Sequence, residues 1–228
     1  SPTIEDSRQK TYKFFPIKKQ IKLEIETDNR QAEITGYVES NEPNIFSSEE
    51  STQISIICPD PYFYEVGGSE KVYTNVEPLF EFPFSNESLT ENLLEMGRMV
   101  DDPRAVLSYV GDMDTGVIIT IHALTKSGDI TLYNVNTREH FKIFDAQIKA
   151  LTGAVFDAGD DIIISTMKGN KYARLLREGK ETNIISAVDM DADWFQVSNG
   201  VNMFNFVTQE EEANLLITFS YKNAYGGI

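Results

Sequence analysis

Short apolar runs separated by polar turns dominate the pattern of the chain. The clearest example extends from Gly159 to Ile185, where the runs IIISTM, YARLL and IISAV alternate with the turn segments KGNK and REGKETN. Glycines stand ten residues apart, at 159, 169 and 179. β-Branched residues between regularly spaced glycines are typical of antiparallel strands joined by turns. The segment therefore predicts a meander of three strands.

A second alternating pattern lies near the start of the chain. Ile21, Leu23 and Ile25 alternate with charged residues, which is the period of a half-buried strand. Residues 28–29 are Asp and Asn, which favour a turn, and residues 34–38 have the composition of a second strand. These features predict a β-hairpin.

The segments around this hairpin are less regular. Residues 1–12 are polar without periodicity, so we expect a loose end. Residues 39–52 indicate a polar loop, and the strand QISIIC that follows must end at Pro59, which lacks an amide donor and restricts the residue before it. Flexible glycine-rich sequence then predicts a domain boundary within residues 65–75. We accordingly divide the chain into residues 1–68 and 69–228.

The chain beyond residue 105 has an all-β pattern. Ser88 and Glu91 have the spacing of a capping box, so residues 89–97 form either one short helix or an irregular strand. No other segment favours a helix. Many short strands with at most one helix predict a β-sandwich or a barrel and exclude a parallel α/β sheet. The predicted strands are AVLSYV, VIITIHAL, ITLYNV, HFKIF, MFNFV and NLLITFSY.

Composition and charge exclude several classes of function. The 228 residues are 41% hydrophobic and 25% charged, as in an ordinary globular protein, and are enough for two domains with a core each. The formal net charge is −16, and no cluster of Lys or Arg offsets it. Such a surface repels phosphate backbones, so we expect no nucleic-acid partner.

Cysteine content and hydropathy give two further expectations. Cys58 is the only cysteine, so the chain forms no internal disulfide, and we interpret the residue as a small core side chain. No apolar run approaches the length of a membrane span, and the first residues lack the charged segment and following apolar segment of a signal peptide. We expect a soluble chain with no membrane partner.

The best candidates for a metal site are two acidic segments. Asp189, Asp191 and Asp193 match the first three ligand positions of a calcium loop, but Trp194 and Gly200 occupy the positions that require glycine and glutamate. The segment that contains Asp112 and Asp114 fails in the same way. Both segments are more simply acidic turns between strands, with a weak surface Ca²⁺ site as the alternative, so we assign no metal ligand.

The sequence gives equally weak support for catalytic residues. His122 and His140 lie far apart in the sequence, no second cysteine joins them, and each falls within a strand-like run. Neither a nucleophile elbow nor a glycine-rich phosphate or dinucleotide loop is present. We therefore assign no catalytic residue and no cofactor.

Aromatic residues leave a binding function open. Trp194, Phe195, Tyr221 and Tyr225 could stack on a sugar ring if they were exposed on one face of a sandwich. The simpler interpretation places Trp194 at one end of the sandwich and packs the tyrosine rings with their hydroxyl groups in water. Residues 210–212 are three glutamates, which favour a solvated hairpin tip.

Five segments, taken in order, suggest a family. They are QISIICPDPYFY, GDMDTG with the following ITI, DIIISTMKGNKYARLLREGKETN, WFQVSNGVNMFNF and the ending ITFSYKNAYGGI. Together they resemble the distal tail proteins of long-tailed phages and prophages of Gram-positive bacteria. The resemblance covers residues 14–228. No single motif is decisive, and the resemblance is specific because all five segments occur in this order.

The resemblance implies a structural protein of the virion that is not an enzyme. Such proteins form a hexameric hub between the tail tube and the host-adsorption apparatus, and they bind the tail tube protein, a tail-associated fibre or lysin, and receptor-binding proteins. Residues 1–68 would be part of the N-terminal ring-forming β domain, and residues 69–228 a C-terminal galectin-like antiparallel β-sandwich. In the family, further strands come before the segment that matches Phe15, Pro16 and Ile17 here. This chain starts just upstream of that segment, so we expect the ring-forming domain to be incomplete.

Two alternatives belong to other functional classes. A carbohydrate-binding module that recognises cell-wall polysaccharide is suggested by the galectin-like resemblance and the aromatic residues, although fold alone does not establish sugar binding. A hydrolase would need a concave pocket that holds a nucleophile and a base within hydrogen-bonding distance.

Overall fold

The computed structural model describes residues 4–44, 51–74, 76–78, 97–99, 104–210 and 214–228. The chain divides into two compact units, and the division falls after Gly68. The last seven residues, which the sequence analysis placed in the second domain, group with the first unit instead. The first unit comprises Ser1–Gly68 and Lys222–Ile228, and the second comprises Ser69–Tyr221.

The first unit contains one helix and one antiparallel sheet. In the sheet, β1, β2, β4 and β19 lie side by side in that order, and β3 pairs with the distal part of β2. Its elements are α1 (Ile4–Phe14), β1 (Gln20–Glu26), β2 (Gln31–Pro43), β3 (Thr52–Ile57), β4 (Phe63–Glu65) and the last strand of the chain, β19 (Ala224–Tyr225).

The predicted hairpin of the first unit is confirmed. Gln20 pairs with Tyr37 and Glu26 with Gln31, and the turn between β1 and β2 is closed by a 2.8 Å hydrogen bond from the Thr27 amide to the Arg30 carbonyl. The predicted polar loop over residues 39–52 begins too early, because β2 continues to Pro43 and pairs there with β3. Residues 45–50 of that loop lie outside the described residues.

The prediction of a loose end at residues 1–12 is wrong for residues 4–12, because α1 occupies them, and residues 1–3 lie outside the described residues. Glu5 and Asp6 lie in its first turn and Lys13 in its last, where their charges complement the helix dipole. Arg8 adds an ion pair with Glu5 one turn away. The placement of charged side chains therefore favours a helix here, although the segment lacks apolar periodicity.

The second unit contains two larger sheets and two short strand pairs. The six-stranded sheet has the order β15-β14-β13-β10-β18-β5, and the four-stranded sheet has the order β12-β11-β17-β8. β16 pairs with β9, and β6 pairs with β7. The strands are β5 (Ser69–Thr74), β6 (Val76–Pro78), β7 (Gly97–Met99), β8 (Arg104–Tyr109), β9 (Thr115–Gly116), β10 (Ile118–Ala123), β11 (Ile130–Asn134), β12 (His140–Ile143), β13 (Asp161–Ser165), β14 (Tyr172–Arg177), β15 (Lys180–Asn183), β16 (Gln196–Val197), β17 (Gly200–Thr208) and β18 (Leu215–Tyr221).

The two larger sheets share one hydrophobic core. Alternate residues of the central strands are buried, as in β18, and the buried side chains of both sheets belong to a single cluster. Phe204 of the four-stranded sheet contacts Phe219 of the six-stranded sheet, with ring centroids 4.9 Å apart. This arrangement is a β-sandwich, and the all-β fold class predicted from the sequence is confirmed.

The predicted meander is correct in two of its three strands. β13 and β14 coincide with the runs IIISTM and YARLL, but the third strand is β15, which lies in the predicted turn REGKETN. Glu178 and Gly179 both have positive φ angles, 50° and 76°, so the chain reverses within two residues and Lys180 pairs with Arg177. The predicted third run instead contains the 3₁₀ turn Ile185–Ala187.

A second helix, α2 (Asp145–Thr152), was not predicted. It follows β12, and it ends at Gly153, which adopts the left-handed conformation with a φ angle of 87°. Ile148 is the main apolar residue that it contributes to the core, so its amphipathic pattern is short. The helix or strand considered for residues 89–97 falls, up to residue 96, outside the described residues.

Candidate functional site

Asp189, Asp191 and Asp193 stabilise a loop beside β12. The amide of Asp189 donates to the Lys142 carbonyl at 2.9 Å, and the amide of Asp193 donates to the His140 carbonyl at 2.8 Å. The carboxylate of Asp193 in turn accepts the His140 amide at 3.1 Å, and that of Asp189 accepts the Asp191 amide at 3.2 Å. Across the described residues, no three Asp, Glu, His or Cys side chains are arranged to hold a metal ion.

The second acidic segment, with Asp112 and Asp114, joins β8 to β9. Its neighbour Met113 accepts a hydrogen bond at 2.5 Å from the hydroxyl of Tyr109, a buried residue of β8. This bond attaches the segment to the edge of the four-stranded sheet.

The two histidines lie in different sheets. His122 on β10 pairs with Asp161 on β13, with 2.7 Å between Nδ1 and the carboxylate. His140 on β12 lies 3.6 Å from the Asp193 carboxylate. The structure therefore does not bring the histidines together, and each pairs with an acid from an adjacent segment.

Three of the four aromatic candidates for sugar stacking are buried. Phe195 is in the core, and Tyr221 is buried while its hydroxyl donates to the Ser108 carbonyl at 2.9 Å. Tyr225 is buried under the Arg30 guanidinium, which lies 4.4 Å from the ring centroid. Trp194 is partly buried and packs edge-on against the ring of Phe141 at 5.2 Å. These contacts are those of structural aromatic residues.

Asp160 and Arg177 form a buried ion pair that the sequence analysis missed. Arg177 Nε donates to one carboxylate oxygen of Asp160 at 2.8 Å and Nη2 to the other at 2.5 Å, and Nη2 also donates to the Val155 carbonyl at 2.6 Å. Only 7% of the Asp160 side chain and 25% of the Arg177 side chain are exposed. Arg177 therefore lies at the end of β14 and largely out of solvent.

The ionisation of Asp160 follows from these contacts. Burial opposes the charged form, but the hydrogen bonds from Arg177 and from the Asp157 amide, with the charge of Arg177, outweigh it. The pKa of the Asp160 carboxyl is therefore held below its ordinary value. The pair joins β14 to the segment that precedes β13.

A second ion-pair cluster lies in the first unit. Glu33 on β2 is 12% exposed and contacts Lys22 of β1 at 2.5 Å and Lys222 at 2.7 Å. Burial opposes ionisation of Glu33, but the hydrogen bonds and charges of the two lysines lower the pKa of its carboxyl. Glu33 thus connects the β1–β2 hairpin to Lys222, near the C-terminal end of the chain.

The outward side of the four-stranded sheet carries exposed apolar side chains among polar ones. We call it the outer sheet face. Five of the sixteen exposed large hydrophobic side chains of the described chain lie there: Val106, Tyr133, Val135, Val201 and Val207. The outward residues of its four strands are Arg104, Val106, Ser108, Thr131, Tyr133, His140, Lys142, Val201, Met203, Asn205 and Val207, and these described positions include no Asp or Glu.

The sequence does contain a signal for this surface. An antiparallel strand with one solvated face should alternate apolar and polar residues. In β17, by contrast, Phe204 and Phe206 point into the core while Val201, Met203 and Val207 point outward. A strand that is apolar on both sides, in a two-layer sandwich, indicates an exposed apolar face.

Comparison with known proteins identifies the family. Residues 110–225, just over half of the chain, match the model of the siphovirus-type tail component, C-terminal domain. The chain belongs to this family. The resemblance to distal tail proteins predicted from the sequence is thereby confirmed, and this siphovirus-type tail component is a structural part of the phage tail.

A solved structure has the same fold. The crystal structure of the SPP1 Dit (gp 19.1) protein, described as a paradigm of the hub adsorption apparatus in phages that infect Gram-positive bacteria, matches with a TM-score of 0.60. The match has 13% sequence identity and covers 97% of this tail component and 73% of the SPP1 protein. A chain of the phage P2 baseplate in its activated conformation with Ca matches with a TM-score of 0.46 and 12% identity, over 96% of this chain and 75% of that one. A search of curated proteins gives no significant match.

Along the part of the chain that the structure describes, neither helix combines the length and the apolar character needed to cross a bilayer.

Proposed function

We propose that this tail component is the hub at the distal end of the tail, where the tail tube meets the host-adsorption apparatus. The family match over residues 110–225 carries the proposal, because it assigns the chain to the tail. The fold shared with SPP1 Dit, a protein described as part of a hub adsorption apparatus, supports the position at the hub. In this role the protein acts through contacts with other proteins.

The two compact units suggest two separate roles within the hub. The first unit, with residues 1–68, builds a ring of six copies in the full-length protein, and the second unit carries the outward contacts. A ring requires two different surfaces on each copy that fit each other by rotation. Its neighbours in the tail are the tail tube protein, a tail-associated fibre or lysin, and receptor-binding proteins.

The proposed function does not include catalysis. His122 and His140 lie in separate sheets, and the carboxylates of Asp189 and Asp193 accept backbone hydrogen bonds that hold their loop. The carbohydrate-binding alternative is not proposed, because three of its four aromatic candidates, Phe195, Tyr221 and Tyr225, are buried and cannot stack on a sugar.

Ring formation by the full-length protein is the testable consequence. Light scattering coupled to size-exclusion chromatography should give a mass six times that of one subunit, because a closed ring has a defined number of copies. A mass equal to one subunit at every concentration would refute the proposed ring.

A further inference from the structure

We propose that the open edge of β1 binds the same edge of a second copy, so that two molecules pair antiparallel about a two-fold axis at Leu23. The contact lies in the first unit and goes beyond the proposed hub, because a ring needs two different surfaces on each copy whereas this contact uses one. It follows from the open edge, the half-buried apolar residues of the strand, and the order of its charges.

The edge of β1 has free backbone groups. β1 is the end strand of its sheet, and β2 is its only strand partner among the described residues. Within the hairpin, the Val38 amide donates to the Lys19 carbonyl at 3.2 Å, and the Thr27 amide donates to the Arg30 carbonyl at 2.8 Å. Hydrogen-bonded residues alternate along an antiparallel pair, so the odd-numbered residues of β1 bond to β2. The even-numbered residues from 20 to 26 therefore direct their amide and carbonyl groups to the open edge.

The apolar residues of β1 are incompletely covered. Ile21, Leu23 and Ile25 lie opposite buried residues of β2, yet each of the three remains partly exposed. A further strand at the open edge would cover them, because side chains directly opposite each other in antiparallel strands lie on the same face about 5 Å apart. The hydrophobic effect therefore favours a partner strand that is itself apolar at alternate positions.

The charges along this segment are segregated. Residues 18–22 contain three lysines and no acid, whereas residues 24–28 contain three acids and no lysine or arginine. When two such strands pair antiparallel, the basic half of each lies opposite the acidic half of the other. The strand is thus complementary to itself in charge as well as in its apolar positions, and this complementarity argues for a second copy as the partner.

One register places opposite charges across the axis. Even-numbered residues must lie opposite each other, because only they have free backbone groups. With Leu23 opposite Leu23, Lys22 lies opposite Glu24 twice and Ile21 lies opposite Ile25 twice. The two other registers that pair more than half of β1 place Lys22 opposite Lys22 or Glu24 opposite Glu24, and like charges directly opposite each other are destabilising. The charges therefore select the register centred on Leu23.

Lys22 also has partners within its own copy. Its Nζ lies 2.5 Å from the Glu33 carboxylate and 3.7 Å from that of Glu24, and its side chain is 51% exposed. An ammonium group has three donors, so a carboxylate of the second copy can still approach it from the open edge. The ionic contacts set the register, and the affinity comes from backbone hydrogen bonds and the apolar row.

The contact is small. The seven residues of β1, at about 3.3 Å each, form an edge roughly 23 Å long. Full pairing would add about eight backbone hydrogen bonds. A stable interface uses about 20 to 30 residues on each side, so the pair should form only at high protein concentration. A disulfide can trap it.

A cysteine at position 23 provides the trap. The full-length protein with Cys58→Ala, which removes the only cysteine of this chain, carries either Leu23→Cys or Ile21→Cys. Residue 23 would face its own copy as a non-hydrogen-bonded pair, with Cα atoms about 4.5 Å apart, which is within the range of a disulfide. Residue 21 would lie roughly 13 Å along the strand from its copy. Mild oxidation should link the Leu23→Cys chains and leave the Ile21→Cys chains unlinked, while a mixture of Ile21→Cys and Ile25→Cys should link.

Charge reversal tests the register independently. Glu24→Lys places like charges opposite each other twice, so it should reduce linkage of the Leu23→Cys chains about tenfold. Within the copy, position 24 lies opposite Glu33, so the new lysine meets a carboxylate there and the hairpin is kept. Adding Lys22→Glu restores opposite charges across the axis and should restore linkage. The control Glu178→Lys makes the same charge change at an exposed turn of the second unit and should have no effect.

The outcomes are distinct. Linkage at position 23 but not at 21, lost with Glu24→Lys and recovered in the double variant, supports the edge contact. No linkage at position 23 overturns it, including when another segment of the full-length chain or another tail protein covers the edge. Equal linkage at positions 21 and 23, or linkage that ignores Glu24→Lys, also overturns it. The mass of the unoxidised protein tests the ring separately.

Discussion

Arg177→Met is expected to lower the free energy of unfolding of the second unit by about 3 kcal/mol. The substitution removes the guanidinium and leaves the Asp160 carboxylate, which is 7% exposed, without its ion-pair partner. Removal of one partner from a buried ion pair costs about 3 to 5 kcal/mol. We choose the lower end because Arg177 itself is 25% exposed. Urea unfolding, followed by tryptophan fluorescence of the single Trp194, measures the effect.

Arg174→Met is the matched control. Arg174 lies on the same strand and pairs with Glu181 at 3.1 Å, but both side chains are about half exposed. An exposed pair contributes less than about 1 kcal/mol. Equal effects of the two substitutions would show that the Asp160–Arg177 pair does not stabilise the sandwich. In the Asp160→Asn background, Arg177→Met should cost less, because no buried charge is left unpaired.

A chain that ends at Tyr221 is expected to lose the structure of the first unit. The missing residues include Ala224 and Tyr225, both buried, and β19, which pairs with β4. Removal of a large buried aromatic side chain costs about 3 to 5 kcal/mol, and each lost hydrogen bond about 1 kcal/mol. A unit of roughly 75 residues is stable by only about 4 to 11 kcal/mol. The loss therefore approaches the whole stability of the unit.

One ion pair and one hydrogen bond to a carboxylate add to this loss. Lys222 pairs with Glu33, and Asn223 donates to the Glu65 carboxylate at 2.6 Å. Hydrogen exchange should show fast exchange in β1 and β2 of the truncated chain and unchanged protection in β13 and β14. A chain that ends at Tyr225, lacking only three exposed residues, should resemble the full chain. Protection of β1 and β2 after the longer truncation would contradict this account.

Hydrophobic patterning predicted much of the sandwich. Strands such as β10 and β18 bury every second residue, so their apolar periodicity directly reflects their position in the sheet. The same reasoning failed for β15, whose sequence KETN is polar, because it lies at the edge of the sheet and contributes little to the core. Apolar periodicity also gave no signal for α1 and α2, because each helix buries few residues.

Three other features were harder to predict: the buried ion pair, the return of the last residues to the first unit, and the outer sheet face. Arg177 is a common residue type, and only the fold brings it to Asp160, which lies in a turn seventeen residues earlier. The return of the last residues to the first unit likewise depends on pairing between residues far apart in sequence. The outer sheet face has a local signal, since Val201 and Val207 break the alternation of β17, but the signal does not specify a partner.

The position of the protein in the virion tests the hub role most directly. Antibodies raised against the second unit, Ser69–Tyr221, are applied to purified tails of the phage or prophage that encodes the chain, and negative-stain images locate the label. We predict label confined to the distal end of the tail, at the junction of tube and adsorption apparatus. Label distributed along the tube, or at the end that joins the capsid, would contradict the proposed function.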